Sequence, residues 1–336
     1  MKIKKAFRNH RAAVGLLAVV TVAAISLFFS SAAAAQGGEE KSTPSKQHAL
    51  GKSTGPQPGQ ETFPTAMDAS KALVKAVKGN DQPALLKILG PNSKEIISSG
   101  DDAEDRNDRE QFVKKYRQMH RMVIEPDGTT TLYIGAENWP TPIPLVKKGD
   151  SWYFETAAGK EEILYRRIGK NELSAIQVCR ELVDAQKEYY GQTHDGESSP
   201  QYAQKIFSDP GKHNGLYWEA SSGEKQSPIG PLLASAADEG NNEAANQKLQ
   251  PFEGYYFRTL TAAKESSGSR SYIADGKMTR GFAFVAYPAE YRSSGVMTFV
   301  VNQDGIVYEK DLGPRTAKIA KTLTRYDRDA SWRKAD

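Results

Sequence analysis

Twice along this chain the spacing of apolar residues switches from a helical period to strand alternation, and that repeated switch narrows the folds open to it. In the first passage Thr65 caps a helix with Asp68 three residues on, Leu73, Val74 and Val77 form its stripe, and Gly79 stops it. Asp81 caps a second helix carrying Leu85, Leu86, Ile88 and Leu89, which ends at Gly90-Pro91. A third is expected from Asn107, with Phe112, Val113, Tyr116 and Met119 on its apolar face. Strand-like runs then flank Pro126-Asp127-Gly128 and Lys148-Gly149-Asp150, two hairpin signals. In the second passage a helix capped by Asn171 and followed by Gly191 carries Leu173, Ile176, Cys179, Leu182, Val183 and Tyr190. Strand runs follow at 255–260, 281–287, 296–301 and 306–308, with a closing helix from Thr316 to Leu323. Helices followed by an antiparallel meander bury their stripes on one sheet face, so the expected class is α+β in two such units, 62–158 and 159–336.

The first 61 residues follow different rules. Lys2, Lys4, Lys5, Arg8 and Arg11 precede an apolar run from Ala12 to Phe29 and a small-residue stretch ending at Ala35. That order marks residues 1–35 as a secretory signal peptide and predicts an exported chain, periplasmic or extracellular. If the segment stays uncleaved, it is the expected membrane contact. Residues 36–61, rich in Gly, Ser, Pro and Gln, read as a flexible linker. The whole chain carries a net charge of +4, and loss of residues 1–35 turns it to −1. A near-neutral mature chain lacks the clustered basic face that nucleic acid requires, so no nucleic-acid partner is expected.

Few motifs in the chain point to chemistry. Gly51-Lys52-Ser53-Thr54 resembles the end of a phosphate loop, but Lys46 stands where its first glycine belongs. Cys179, the single cysteine, lies on the helical stripe and reads as a core side chain. His120 is expected to end the third helix, and no two of His120, His194 and His213 share metal-ligand spacing. His194-Asp195-Gly196-Glu197 reads as a polar turn, and the acid run from Asp101 to Asp105 as a solvated turn at a helix start. Glu161-Glu162 read as the first turn of a helix. No catalytic residue, metal or cofactor is assigned. The best candidate is the loop from Gly211 to Trp218, in which His213, Tyr217 and Trp218 stand on glycine-rich backbone of the kind that binds partners or ligands.

Several segments resemble known families. The helix-then-meander order of residues 62–158, ending in LVKKGDSWYFET from Leu145, resembles the nuclear-transport-factor-2-like fold, which hosts both pockets and packed cores. Residues Ala185 to Tyr190, Tyr202-Ala203 and Ala286 to Tyr291 resemble the globular part of type IV pilins and type II secretion pseudopilins. A pilin's apolar membrane half is replaced here by the segment Glu161–Asn171. From Glu61 to Trp332 the chain resembles the domain-of-unknown-function 2950 family of exported bacterial proteins. That resemblance rests on ENWPTPIPLV from Glu137, AAGKEEIL from Ala157, RIGKNELSAIQVC from Arg167, GLYW from Gly215 and GVMTF from Gly295. It implies export and supplies no activity. The expected role is therefore a non-enzymatic binding or envelope-accessory protein, with an envelope or secreted protein as partner. The alternatives are a hydrolase or isomerase with a pocket in the first unit, and an accessory to a type II secretion or pilus system.

Overall fold

The computed structural model describes residues 55–98, 101–238, 249–265 and 268–335. The signal segment 1–35, the linker as far as residue 54, and the Gly51-to-Thr54 string lie outside the described residues. Among the described residues no helix is long and apolar enough to cross a membrane. The chain divides into two compact units between Arg166 and Arg167. The architecture is α+β.

In the first unit α1 (Ala66–Lys78), α2 (Gln82–Leu89), α3 (Lys94–Ile97) and α4 (Asp102–Gln118) precede five strands. These are β1 (His120–Ile124), β2 (Thr130–Ile134), β3 (Trp139–Pro140), β4 (Leu145–Lys148) and β5 (Ser151–Phe154). The sheet runs β1-β2-β4-β5, with β3 also paired to β2, and every pairing is antiparallel. Both hairpins form where expected, because Gly128 and Gly149 take the positive φ that their turns demand. Thr65 and Asp81 cap α1 and α2 by accepting from the amides of Asp68 and Ala84. Leu73, Val77, Leu85, Leu89, Phe112, Leu132, Ile134, Leu145 and Phe154 fill an apolar core. Residues 55–61, which composition groups with the linker, are tied to this unit. Gln60 donates its side-chain amide to the carbonyls of Ile88 and Phe154, and Gln57 accepts from the Asn92 amide.

Helix α4 begins five residues earlier than expected, since Asp101 accepts from the Ala103 amide and caps it. The acid run is split: Asp101 and Asp102 are exposed at the helix start, while Asp105 lies inside the helix. Asp105 and Asp108 are buried, and Asp105 faces the buried Arg109 at 3.7 Å. Arg109 also donates to the Ile97 carbonyl and to Asn80. A buried charge retained in this way is held by partners, as desolvation requires.

The next helix, α5, runs unbroken from Thr156 to Tyr190. Asn171 is therefore no cap: it lies mid-helix, buried, and donates its amide to the Ser294 carbonyl at 2.9 Å. The buried face in the second unit is Ala175, Ile176, Val178, Cys179, Leu182, Val183, Ala185 and Tyr189. Leu173, 66% exposed, and Tyr190 fall off the expected stripe, and Tyr189 takes the core position.

The rest of the second unit is mostly strand. After α5 come β6 (Lys205–Phe207), β7 (Gly215–Tyr217), α6 (Pro231–Ala234), β8 (Tyr255–Leu260), β9 (Ala262–Glu265), β10 (Gly268–Ser271), β11 (Ile273–Ala274) and β12 (Lys277–Met278). The chain finishes with β13 (Ala283–Pro288), β14 (Met297–Asn302), β15 (Tyr308–Asp311), α7 (Thr316–Thr322), β16 (Arg325–Tyr326) and β17 (Arg333–Lys334). The main sheet, β17-β15-β14-β13-β8, is antiparallel throughout. All six residues of β13, an interior strand of this sheet, are buried, so both sheet faces are covered there. Helix α7 packs against β13 and is pinned there by Arg258, which donates to the Ala320 carbonyl.

Candidate functional site

The candidate site is assembled from three pieces of the second unit: the end of α5, the turn after it, and the segment from β6 to Glu224. Strands β6 and β7 pair in parallel, with Lys205 opposite Gly215 and Phe207 opposite Tyr217. The pairing needs a glycine at 215, because a Cβ there would stand 2.7 Å from the Phe207 carbonyl carbon and the Ser208 nitrogen. The connection between the strands is drawn tight by Asp209. Its carboxylate takes hydrogen bonds from Lys205 and Asn214 at 2.7 and 2.8 Å, and its amide donates to Asn214. Those hydrogen bonds, Lys205 first, hold the Asp209 carboxyl below its ordinary range.

His213 stands at the tip of this segment and is 34% exposed. Its Nε2 lies 2.8 Å from Glu224 Oε1 and its Nδ1 lies 3.4 Å from Asp195 Oδ1. Its backbone amide also donates to both Asp195 oxygens, at 3.0 and 2.9 Å, and its carbonyl accepts the Tyr189 hydroxyl at 2.6 Å. Glu224 is oriented in turn by the Ser221 amide at 2.8 Å, the main reason its carboxyl sits below the usual value, with His213 adding to the effect. Burial first, then Asp195 and Glu197, pushes the Tyr189 phenol up.

The aromatic residues form the backing. Trp218 is 8% exposed and donates its indole N–H to the Lys225 carbonyl at 3.1 Å. The His213 ring meets the Trp218 ring edge-on at 4.7 Å. His194 lies near the other part of the cluster: its ring stacks on Tyr189 at 3.8 Å, and its centroid is 5.8 Å from that of Trp218. Tyr217 is half-buried against Phe207. Of the three expected site residues, His213 is thus the polar surface member, Tyr217 flanks it on β7, and Trp218 supports it from below.

Sequence reading missed Tyr189, Asp195 and Glu224 as members of this cluster. The turn from His194 to Glu197 forms, with the Glu197 amide donating to the His194 carbonyl at 3.0 Å, and its acids are engaged: Asp195 faces His213 and Glu197 pairs with Lys277 at 2.6 Å. Although His194 and His213 approach one aromatic ring, no group of three or more His, Cys, Asp or Glu among the described residues is arranged to hold a metal ion. His120 lies in the first unit, stacked on Tyr116 at 3.9 Å, with Nδ1 3.0 Å from the Tyr116 carbonyl; it opens β1 rather than ending α4, which stops at Gln118. Cys179 is fully buried, and burial raises its thiol to about 12. The first unit shows open surface depressions of about 430 and 440 Å³, lined respectively by residues including Lys94, Glu95 and Lys160, and Lys148, Ser151 and Tyr153.

With this geometry in place, comparison with known proteins gives one match. The family model described as "Protein of unknown function (DUF2950)" matches residues 60–335, and the chain belongs to that family. No curated protein matches, and no solved structure matches.

Proposed function

We propose that this member of the family is a binding protein that works outside the cytoplasm, and that the surface around His213 and Tyr217 recognises an envelope or secreted protein. Export is supported by the first 35 residues, whose basic, apolar and small-residue blocks follow the order of a secretory signal. The observation that carries the binding reading is the commitment of His213. Both ring nitrogens face carboxylates of the chain itself, at 2.8 and 3.4 Å. A general base must present a free nitrogen to a substrate proton, and here each nitrogen stands against a carboxylate of the chain itself. The same contacts fix the loop in one conformation, which lowers the ordering cost of association. Trp218 holds the loop from beneath while His213, Tyr217 and the exposed Lys212 are left toward the surface.

A photoreactive side chain placed at Lys212 in the organism that makes the chain tests this reading. The expected result is one defined adduct on the processed chain in the extracytoplasmic fraction, weakened by Tyr217→Ala. A photoreactive group at Lys318, exposed on α7, serves as control. No adduct at Lys212, or the same adduct at Lys318, overturns the reading.

A further inference from the structure

We infer that β1 pairs edge to edge with β1 of a second copy of this chain, joining two sheets across a two-fold axis at Val123. The inference is independent of the surface assigned to binding in the second unit. It begins with where the backbone of β1 points. The Glu125 amide donates to the Thr129 carbonyl at 2.9 Å, which makes these two residues a hydrogen-bonded pair. Ile124 then stands opposite Thr130, Val123 opposite Thr131 and Met122 opposite Leu132. Because antiparallel pairs alternate, Met122 and Ile124 turn their N–H and C=O groups away from β2. The Leu132 carbonyl fits this phase, since it accepts from the Thr141 amide on the side remote from β1.

Strand β1 ends the sheet order, and among the described residues no further strand lies along it. The opposite edge is closed, because Trp152 of β5 and Phe63 exchange backbone hydrogen bonds at 2.8 and 2.7 Å. Edge strands are often blunted by proline or a bulge, and the run from His120 to Ile124 has neither. Its last residue, Ile124, is 78% exposed.

The order of side chains selects a second copy as the occupant. Met122 packs against the apolar core, while Arg121, Val123 and Glu125 alternate onto the other sheet face. There Tyr133 orients both charges: Arg121 lies over its ring at 4.9 Å, and Glu125 accepts its hydroxyl at 3.1 Å. An antiparallel copy with Val123 opposite Val123 sets Arg121 opposite Glu125 and Met122 opposite Ile124, twice each by symmetry. The outward backbone groups of Met122 and Ile124 then meet as hydrogen-bonded pairs. The charges meet in non-hydrogen-bonded pairs, where side chains come closest. Centring the pairing on Met122 sets Arg121 against Val123 instead. Centring it on Ile124 sets Glu125 against Val123 and carries the pairing into the turn at Pro126 to Gly128. Five residues of edge bury little area, so the dimer is weak and reversible.

Val123→Cys in the purified full chain tests the axis. The natural cysteine, Cys179, is buried, so the introduced thiol is the one that reacts. On the axis two copies bring their Cα atoms to about 5 Å, within disulfide reach, and glutathione disulfide links them into a covalent dimer. Arg121→Cys leaves its thiols about 13 Å apart, and that chain stays unlinked under the same conditions. Sedimentation of the unsubstituted chain gives a second reading, a monomer–dimer equilibrium. Arg121→Glu weakens it about tenfold, because like charges then face each other at both ends. Adding Glu125→Arg to that variant restores association. Equal linkage through Arg121→Cys, or a paired exchange that does not restore association, overturns the inference. A chain that sediments as a monomer at every concentration leaves the edge to a strand of another protein, and overturns it too.

Discussion

Tyr189, near the end of α5, donates its hydroxyl to the backbone carbonyl of His213 over 2.6 Å, joining residues 24 apart in the chain. The ring is buried and simultaneously stacked under His194. One side chain therefore fixes both the loop tip and the turn that carries Asp195. Substituting Tyr189→Phe keeps the ring contact and removes the bond, leaving a carbonyl without its donor. The expected loss is about 1 to 2 kcal/mol, read by urea unfolding with an unchanged m-value.

Gly215 allows β7 to approach β6. Gly215→Ala places a methyl 2.7 Å from the backbone of Phe207 and Ser208, where no flexible side chain can give way. A destabilisation of about 1 to 3 kcal/mol is expected, as for other overpacked positions. Hydrogen exchange at Ser208, whose amide donates to the Tyr217 carbonyl at 2.9 Å, reports whether the strand pair itself has opened.

Acid should loosen the same segment. Asp209 and Glu224 titrate below their ordinary values of 3.8 and 4.5 because hydrogen bonds favour the charged form. A depressed carboxyl contributes stability that is present above its unfolded value and is lost as pH falls through its folded one. Stability should thus decline below about pH 4.5 through these groups, with Asp209→Asn flattening that limb. An Asp209→Asn chain that keeps the full acid slope would contradict the assignment.

Cys179 provides a probe of the second core. A thiol that is fully buried and pushed up to about 12 is inert in the native state. Labelling by an aromatic disulfide reagent at pH 8 should follow the unfolding of this unit, accelerating with urea in step with loss of tertiary signal. Rapid labelling without denaturant would show that α5 opens locally.

The sequence carried the local features well. Gly128, Gly149, Thr65 and Asp81 act through neighbours within four residues, so a turn or cap can be recognised from its own composition. The length of α5 is hidden because Asn171 reads as a cap. The core bond from Asn171 to Ser294, 123 residues away, overrides that local preference. Leu173 was placed on the stripe for its side chain, yet the turn that faces the sheet is set by Ala175, Ile176, Cys179, Leu182 and Tyr189. The loop that carries His213, Tyr217 and Trp218 stands out by composition alone. Asp195 and Glu224 were not, because they reach His213 from 18 and 11 residues away through turns whose spacing carries no signature.

The binding reading depends on the His213 ring standing between the carboxylates of Asp195 and Glu224. Nuclear Overhauser contacts of the labelled chain measure this directly. The His213 ring protons should show contacts to the side-chain methylenes of both Asp195 and Glu224. A ring that shows contacts to neither would contradict it.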